Sequence, residues 1–289
     1  MKEITWYFPS TLEEVPELLE KEGVFIHGGG TALLRSNLAR VEGLIDLKAL
    51  PLNYCRDREG VIEIGTSCTY RQVIEVLQKI DSNNILIRAL SVAASTPLRN
   101  RITLGGSIAF FPVWSDLMGP LMVLEAEVTL IGSNKGSFPL VEYLKKREIR
   151  NRSLITGISF KKRELNSYYF RQSRTRFDYS AFSISILVKK SASPSGPGPA
   201  SASMTSSGSP SASTIEEPAI VIVGCRNKFS RLSSLEDSLK NRSPADLQLK
   251  DIAGSLEVEF AAKKNYSPDY LKHLAAVELE RALKAVLRS

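Results

Sequence analysis

Apolar and polar positions alternate over Ile4 to Phe8, which predicts a short strand. Ser10 then stands as a helix N-cap ahead of Leu12, Val15, Leu18 and Leu19, with Glu13 and Glu14 suited to the positive end of the helix dipole, and Gly23 ends the helix. Val24-Phe25-Ile26 reads as a buried strand running straight into Gly28-Gly29-Gly30, and Leu44-Ile45-Asp46-Leu47 as the next apolar strand, so residues 4–50 form a βαβ-like unit. From 52 to 160 the texture becomes α+β. Strands are predicted at Val61–Gly65, Val128–Ile131 and Leu154–Phe160, and helices at Tyr70–Ile80, where Val73, Ile74 and Leu77 share a face, and at Ile87–Ala94. Tyr168–Lys190 holds two long alternating segments and Ala219–Gly224 a short apolar strand. Helices follow at Ser234–Lys240 and Pro268–Leu287, the second with Leu271, Leu274, Val277, Leu279, Ala282, Leu283 and Val286 at helical spacing.

Between Ser191 and Thr214 a tract of Ser, Ala, Pro and Gly carries almost no large apolar residue and no charge. Such a composition buries too little surface to offset ordering entropy, so it is expected to be a flexible excursion between two strands rather than an interdomain linker.

With 289 residues, 43% hydrophobic and 24% charged, the chain has the make-up of a globular protein large enough for more than one domain. Its start lacks a signal-peptide core and no run reaches the roughly 18 apolar residues of a membrane span, which leads to an expected cytoplasmic location. The net charge of +7 raises the question of nucleic acid. Basic residues do gather at Arg99, Arg101 and from Lys145 to Arg163, but no nucleic-acid-binding signature accompanies them, and a solvated face or an acidic partner protein is the plainer reading. Cys55, Cys68 and Cys225 are odd in number and widely spaced, which implies neither a disulfide framework nor a thiolate metal site.

Two glycine pairs carry the candidate chemistry: Ile26-His27-Gly28-Gly29-Gly30-Thr31-Ala32-Leu33 and Arg101-Ile102-Thr103-Leu104-Gly105-Gly106-Ser107. Backbone without Cβ atoms comes close to a ligand, and successive amides then converge on an anion such as a pyrophosphate. Thr31, Thr103 and Ser107 add hydroxyl donors. A Rossmann unit ending on Asp46 is a rival for the first segment, but Leu33 occupies the place of the third glycine; a P-loop is excluded because no Gly-Lys-Ser or Gly-Lys-Thr follows. His27, beside the glycines, reads more simply as structural than as a ligand contact, and His273 as packing or capping.

Taken together the two segments resemble the Ala-Gly-Gly-Thr and Thr-Ile-Gly-Gly-Asn phrases of the FAD-binding subunits of molybdopterin-dependent dehydrogenases, such as the medium subunits of carbon monoxide dehydrogenase and bacterial xanthine dehydrogenase. Here they stand as Gly28-Gly29-Gly30-Thr31 and Thr103-Leu104-Gly105-Gly106-Ser107, with Ser107 in place of Asn and Ala32 where an acidic or hydroxyl residue is common. Leu90–Asn100, Pro120–Ala126, Phe170-Arg171-Gln172 with Arg176 and Asp178, and the stretch from His273 to Leu283 extend the likeness over nearly the whole chain.

The resemblance implies an α+β fold: a two-lobed FAD-binding domain of the PCMH type over 1–163, with lobes of about 1–51 and 52–163, and a C-terminal domain over 164–289 in which a three-stranded antiparallel sheet packs on helices and a flexible tract covers about 191–217. It implies FAD as cofactor, its pyrophosphate lying against the amides of residues 26–33 on one side and of Thr103, Gly105, Gly106 and Ser107 on the other. Asp116 would accept hydrogen bonds from ribose or adenine, or else cap a helix. Leu154 or Ile155 would lie near a ring, and Arg171 would reach the cofactor from the C-terminal domain or else be a surface charge. The implied partners are a molybdopterin-binding large subunit and an iron-sulfur small subunit, with NAD as the usual electron acceptor. Two alternatives are a cofactor-poor scaffold subunit, distinguished by failure to take up FAD, and a free-standing flavoenzyme, distinguished by the absence of copurifying subunits.

Overall fold

The structure, a computed structural model, describes residues 3–33, 38–191 and 214–288. Most of the Ser/Pro/Gly tract predicted to be flexible therefore lies outside the described residues. Three sheets follow one another along the chain. The first is parallel, ordered β1 (Thr5–Tyr7), β3 (Gly43–Asp46), β2 (Val24–His27), with α1 (Val15–Glu20) as the crossover between β1 and β2. Its core joins Val15, Ile45, Leu47, Leu50 and Leu52 to Leu154 of the next sheet. Thr11, rather than Ser10, closes the capping box, with Glu14 as the reciprocal partner, and the first turn is a 3-10 turn over Leu12–Glu14.

The second sheet is antiparallel and five-stranded, ordered β4 (Cys55–Arg58), β5 (Val61–Gly65), β8 (Ser153–Lys161), β6 (Glu127–Gly132), β7 (Gly136–Pro139). Helices α2 (Tyr70–Ile80), α3 (Ile85–Val92), α4 (Thr96–Arg99), α5 (Leu104–Phe110), α6 (Met118–Val123), α7 (Leu140–Lys145) and α8 (Arg147–Arg150) belong to this stretch, and a common core joins Ile62, Val73, Leu77, Leu104, Ile108, Val128 and Ile158. Helix α2 begins where the apolar spacing places it, capped by Thr69, which accepts from the Gln72 amide while Gln72 reaches back to the Thr69 amide.

The C-terminal sheet is antiparallel but has four strands, not the three expected: β12 (Lys228–Arg231), β11 (Ala219–Cys225), β10 (Phe182–Val188), β9 (Asn166–Gln172). The unexpected strand, β12, is a polar edge that pairs through its backbone and shows no apolar alternation. Helix α11 (Pro268–Arg288) covers β9 and β10 on one face, with α9 (Ser233–Leu239) and α10 (Leu249–Gly254) beside it; α6 and α3 cover the other face. With both faces packed, β10 is buried along its whole length. Its Leu187, with Val221 and Val223 of β11, enters the core of the middle sheet, so the last sheet is docked on the preceding layers through apolar contact.

Candidate functional site

Ligands of open α/β units sit beyond the carboxyl ends of parallel strands, and β2 ends at His27, directly before Gly28. Gly30 takes a φ of +74°, a left-handed backbone that turns the chain sharply back. Gly29 lies so close to the segment 101–103 that a Cβ there would overlap the Arg101 carbonyl oxygen and stand 2.7 Å from its carbon. One at Gly28 would stand 2.9 Å from Thr103 Oγ1, and Arg101 Nη2 donates to the Gly29 oxygen at 3.4 Å. The two glycine segments are therefore folded against each other.

They do different work. Among the described residues, the amides of Gly28, Gly29, Gly30 and Thr31 donate to no protein group. In the second segment the glycines lie in the first turn of α5 rather than in a loop, with Thr103 as N-cap. There the amides are engaged: Leu104 donates to Cys68 O, Gly105 to Thr66 O, Gly106 to Thr103 Oγ1 and Ser107 to Thr103 O. Gly105 is there for close approach, since a Cβ would overlap the Thr66 hydroxyl. Ser107 Oγ donates to Thr103 O and accepts from the fully buried Tyr70 hydroxyl, so its single proton is already used. The sequence expects amides and hydroxyls of both segments to face an anion, and among the described residues only the first segment leaves its amides without a protein partner. The second uses its own to build the wall.

Around the joined segments opens one cleft of about 910 Å³. Every residue singled out in the sequence lines it: Ile26, His27, Gly28, Gly29, Gly30, Thr31, Ala32, Leu33, Thr103, Gly105, Gly106, Ser107, Asp116, Leu154, Ile155 and Arg171. Leu154 and Ile155, neighbours on β8, give it a buried apolar floor. The His27 ring packs edge-on against Trp6, with centroids 5.1 Å apart, which fits a structural part.

Asp116 and Arg171 face one another. Asp116 Oδ1 accepts from Arg171 Nε at 3.0 Å and from the Tyr169 hydroxyl at 2.7 Å, with side-chain exposures of 9% and 10% for the ion pair. Burial pushes the Asp116 carboxyl up, and the guanidinium and the two hydrogen bonds pull it back down. The helix-capping part falls to Ser115, whose Oγ accepts from the Leu117 and Met118 amides, and Arg171 is no surface charge.

Sequence reasoning missed much of the wall. Thr66 and Ser67 lie in the turn after β5, and Tyr70 and Tyr143 lie on α2 and α7, where the apolar spacing announces only core; burial lifts the Tyr143 hydroxyl to about 12. Phe110, at the end of α5, and Trp114, Phe177 and Tyr179 line the mouth; for the last three, large aromatics in irregular segments are the signal that points to them. The Ser67 hydroxyl is buried on the cleft wall with no hydrogen-bond partner among the described residues, a group that a polar ligand would satisfy. Free amides at the end of a parallel strand, an orphan hydroxyl and an apolar floor suit a ligand with an anionic bridge and a planar apolar ring, as FAD is. Among the described residues no cluster of three or more His, Cys, Asp or Glu could hold a metal, and no helix is long and apolar enough to cross a membrane.

Fold and cleft together define a class, the FAD-binding subunits homologous to those of molybdopterin hydroxylases, and comparison with known proteins supports it. Residues 2–160 match the family model described as the FAD binding domain in molybdopterin dehydrogenase, and the chain belongs to that family. The nicotinate dehydrogenase FAD-subunit of Eubacterium barkeri is 33% identical over 138 residues, a match spanning 45% of this chain and less than half, 46%, of that relative. Carbon monoxide dehydrogenase from Hydrogenophaga pseudoflava, in a form lacking the Mo-pyranopterin moiety, superposes with a TM-score of 0.82 at 20% identity over 98% of this chain and 96% of that one. Quinoline 2-oxidoreductase from Pseudomonas putida 86 does so with 0.82 at 18% over 99% and 97%, and reconstituted CO dehydrogenase from Oligotropha carboxidovorans with 0.82 at 17% over 99% and 98%. At these identities the structural likeness speaks for the fold.

Proposed function

We propose that the chain binds FAD in this cleft and serves as the electron-transfer subunit of a molybdenum hydroxylase. The observation that carries the reading is the turn 28–31, whose amides have no protein partner among the described residues and whose glycines are pressed against the segment 101–103. In this reading residues 26–33 hold the pyrophosphate, the Thr103 hydroxyl adds a donor between the two segments, and Ser67 supplies a further one. Gly106, whose Cβ position is open apart from Thr103 Oγ1, leaves room for the ligand, and Leu154 and Ile155 exclude water from a ring. Asp116 and Arg171 close the cleft at the side of the last sheet. Bound flavin supplies the ability to accept electrons singly and release them as a pair, while the protein binds, orients and shields.

The proposal extends to domains and partners. Residues 1–163, in lobes of about 1–51 and 52–163, form the FAD-binding domain and 164–289 the domain docked on it. Electrons arrive from an iron-sulfur small subunit, having started at a molybdopterin-binding large subunit, and leave to NAD or another acceptor. Three free thiols, Cys55, Cys68 and Cys225, suit a reducing compartment, and we place the protein in the cytoplasm. The test is a titration of the purified, flavin-free protein with FAD, followed by absorption and fluorescence. One equivalent taken up, with copurification of molybdenum and iron-sulfur subunits on expression with its partners, supports the reading. A protein that takes up none supports a scaffold instead.

A further inference from the structure

The connection between β9 and β10, residues 173–181, is longer than the two to five residues usual in a hairpin and has no regular structure. A connection of that length needs contacts of its own to hold one shape. Arg174 pairs with Asp178 within it and the Asp178 amide donates to Thr175 O, but the largest set of its contacts comes from one side chain at its root. Arg171 Nη1 donates to Ser173 Oγ at 2.8 Å and to the Arg176 oxygen at 3.3 Å, and Nη2 donates to the Asp178 oxygen, while Nε of the same guanidinium holds Asp116 across the domain contact. The segment so held carries Phe177 and Tyr179, 69% and 54% exposed, to the cleft mouth, where the Tyr179 ring lies 4.6 Å from Trp114 and Ser180 Oγ donates to the Trp114 oxygen.

We propose that Arg171 is a positioning residue: its planar fork ties residues 173–179 to Asp116 and so fixes the aromatic mouth of the cleft, governing access to the bound ligand without touching it. A guanidinium does this because its donors diverge in one plane, so one edge serves the carboxylate and the other the loop carbonyls. Tyr169, by donating to the same Asp116 oxygen, fixes the carboxylate that anchors the fork. The identity of the ligand rests on the FAD reading; the hold on the loop does not.

Arg174 and Arg176 lie in the held segment and are natural trypsin sites, which gives the test a direct readout. The full-length protein is compared with Arg171→Met and Arg171→Lys, flavin-free and FAD-loaded. Cleavage after Arg174 and Arg176 is followed by mass spectrometry, FAD affinity by fluorescence, and access to bound flavin by iodide quenching and the structure of its long-wavelength absorption band. In R171M cleavage rises about tenfold or more, the change expected when charge-assisted hydrogen bonds holding a closed segment are removed. Iodide quenching rises with it and the absorption band loses its resolved shoulder. R171K keeps one charge for Asp116, so its melting temperature stays near wild type while the loop is cleaved as fast as in R171M, which separates loop release from unfolding. Cleavage unchanged in either variant overturns the proposal. Weakened FAD binding with unchanged cleavage also overturns it, by assigning Arg171 a direct contact with the cofactor. A wild-type protein that binds no FAD removes the functional reading, while the cleavage comparison on the flavin-free protein still decides the loop.

Discussion

Replacing Gly29 by alanine tests the joint between the two glycine segments. The new Cβ would stand 2.7 Å from the Arg101 carbonyl carbon and nearer still to its oxygen, both backbone atoms that cannot rotate away. Carbon pairs in ordinary contact begin near 3.4 Å, so the segments must part by about an ångström or more. Overpacking of this kind costs about 1–3 kcal/mol of stability. In the proposed FAD reading the larger effect falls on the ligand, because the amides and the Thr103 hydroxyl proposed to hold one phosphate would be drawn apart. Losing one hydrogen bond to a charged group costs about 1.5–3 kcal/mol, which weakens binding roughly 10- to 150-fold. The assay is fluorescence titration of flavin-free G29A protein with FAD at a temperature where circular dichroism shows it folded. Folded G29A protein that binds FAD within threefold of wild type would refute the argument that the two segments must touch.

Gly106→Ala perturbs the other segment without a backbone clash, since its Cβ meets only Thr103 Oγ1, at 2.8 Å. Alanine favours a helix by up to about 1 kcal/mol over glycine but crowds the Thr103 hydroxyl that caps the Gly106 amide, so urea unfolding should show stability changed by about 1 kcal/mol or less, while in the proposed FAD reading the methyl group in the ligand's space should weaken FAD binding. In the contact between α6 and the last sheet, a Cβ at Gly119 would stand 2.5 Å from Ser185 Oγ, a buried hydroxyl without a partner. S185A should therefore raise stability by about 1 kcal/mol, G119A should lower it by about 1–3 kcal/mol, and the double variant should recover part of that loss in a denaturant double-mutant cycle. Burial lifts the Cys55 thiol to about 12 and Cys68 to about 11 from an ordinary value of 9.0. The unfolded chain thus releases these protons first, so their contribution is intact below pH 9 and lost as pH rises through 11 to 12. Urea midpoints should fall over that interval, and C55S/C68S protein should show a shallower fall.

The strands the sequence left unread share one physical cause. The strands β4, β7 and β12 all lie at sheet edges. Cys55-Arg56-Asp57-Arg58 and Lys228-Phe229-Ser230-Arg231 carry the charges that keep an edge from pairing further, so their apolar alternation is absent and only backbone pairing marks them. Central strands such as β5 and β8, and the amphipathic α2 and α11, were legible because one face of each must be dry. At the site, composition identified the glycine segments but not their division of labour. Nothing in Thr103-Leu104-Gly105-Gly106-Ser107 announces a helix start, because two glycines hide the helical preference that the Thr103 cap and the packing of Leu104 and Ile108 impose. The mouth escaped for a different reason: Arg171 and Asp116 are 55 residues apart, and only the docking of the last sheet brings them together.

Of the three sheets the parallel one has the smallest core. The parallel sheet has a small core of Val15, Ile45, Leu47, Leu50 and Leu52, completed by Leu154 from the neighbouring sheet, and so few buried side chains do not sustain an independent fold. The lobe therefore borrows its stability from β8 and from the close approach of Gly28 and Gly29 to residues 101–103. Among the described residues its amides without a protein partner lie at that contact. A diphosphate seated there would satisfy those donors and bind the folded pair of segments but not the separated one, so ligand binding and closure of the lobe are one equilibrium. If the cleft holds a diphosphate as proposed, the glycines that admit it are also the residues through which it would hold the first sheet in place.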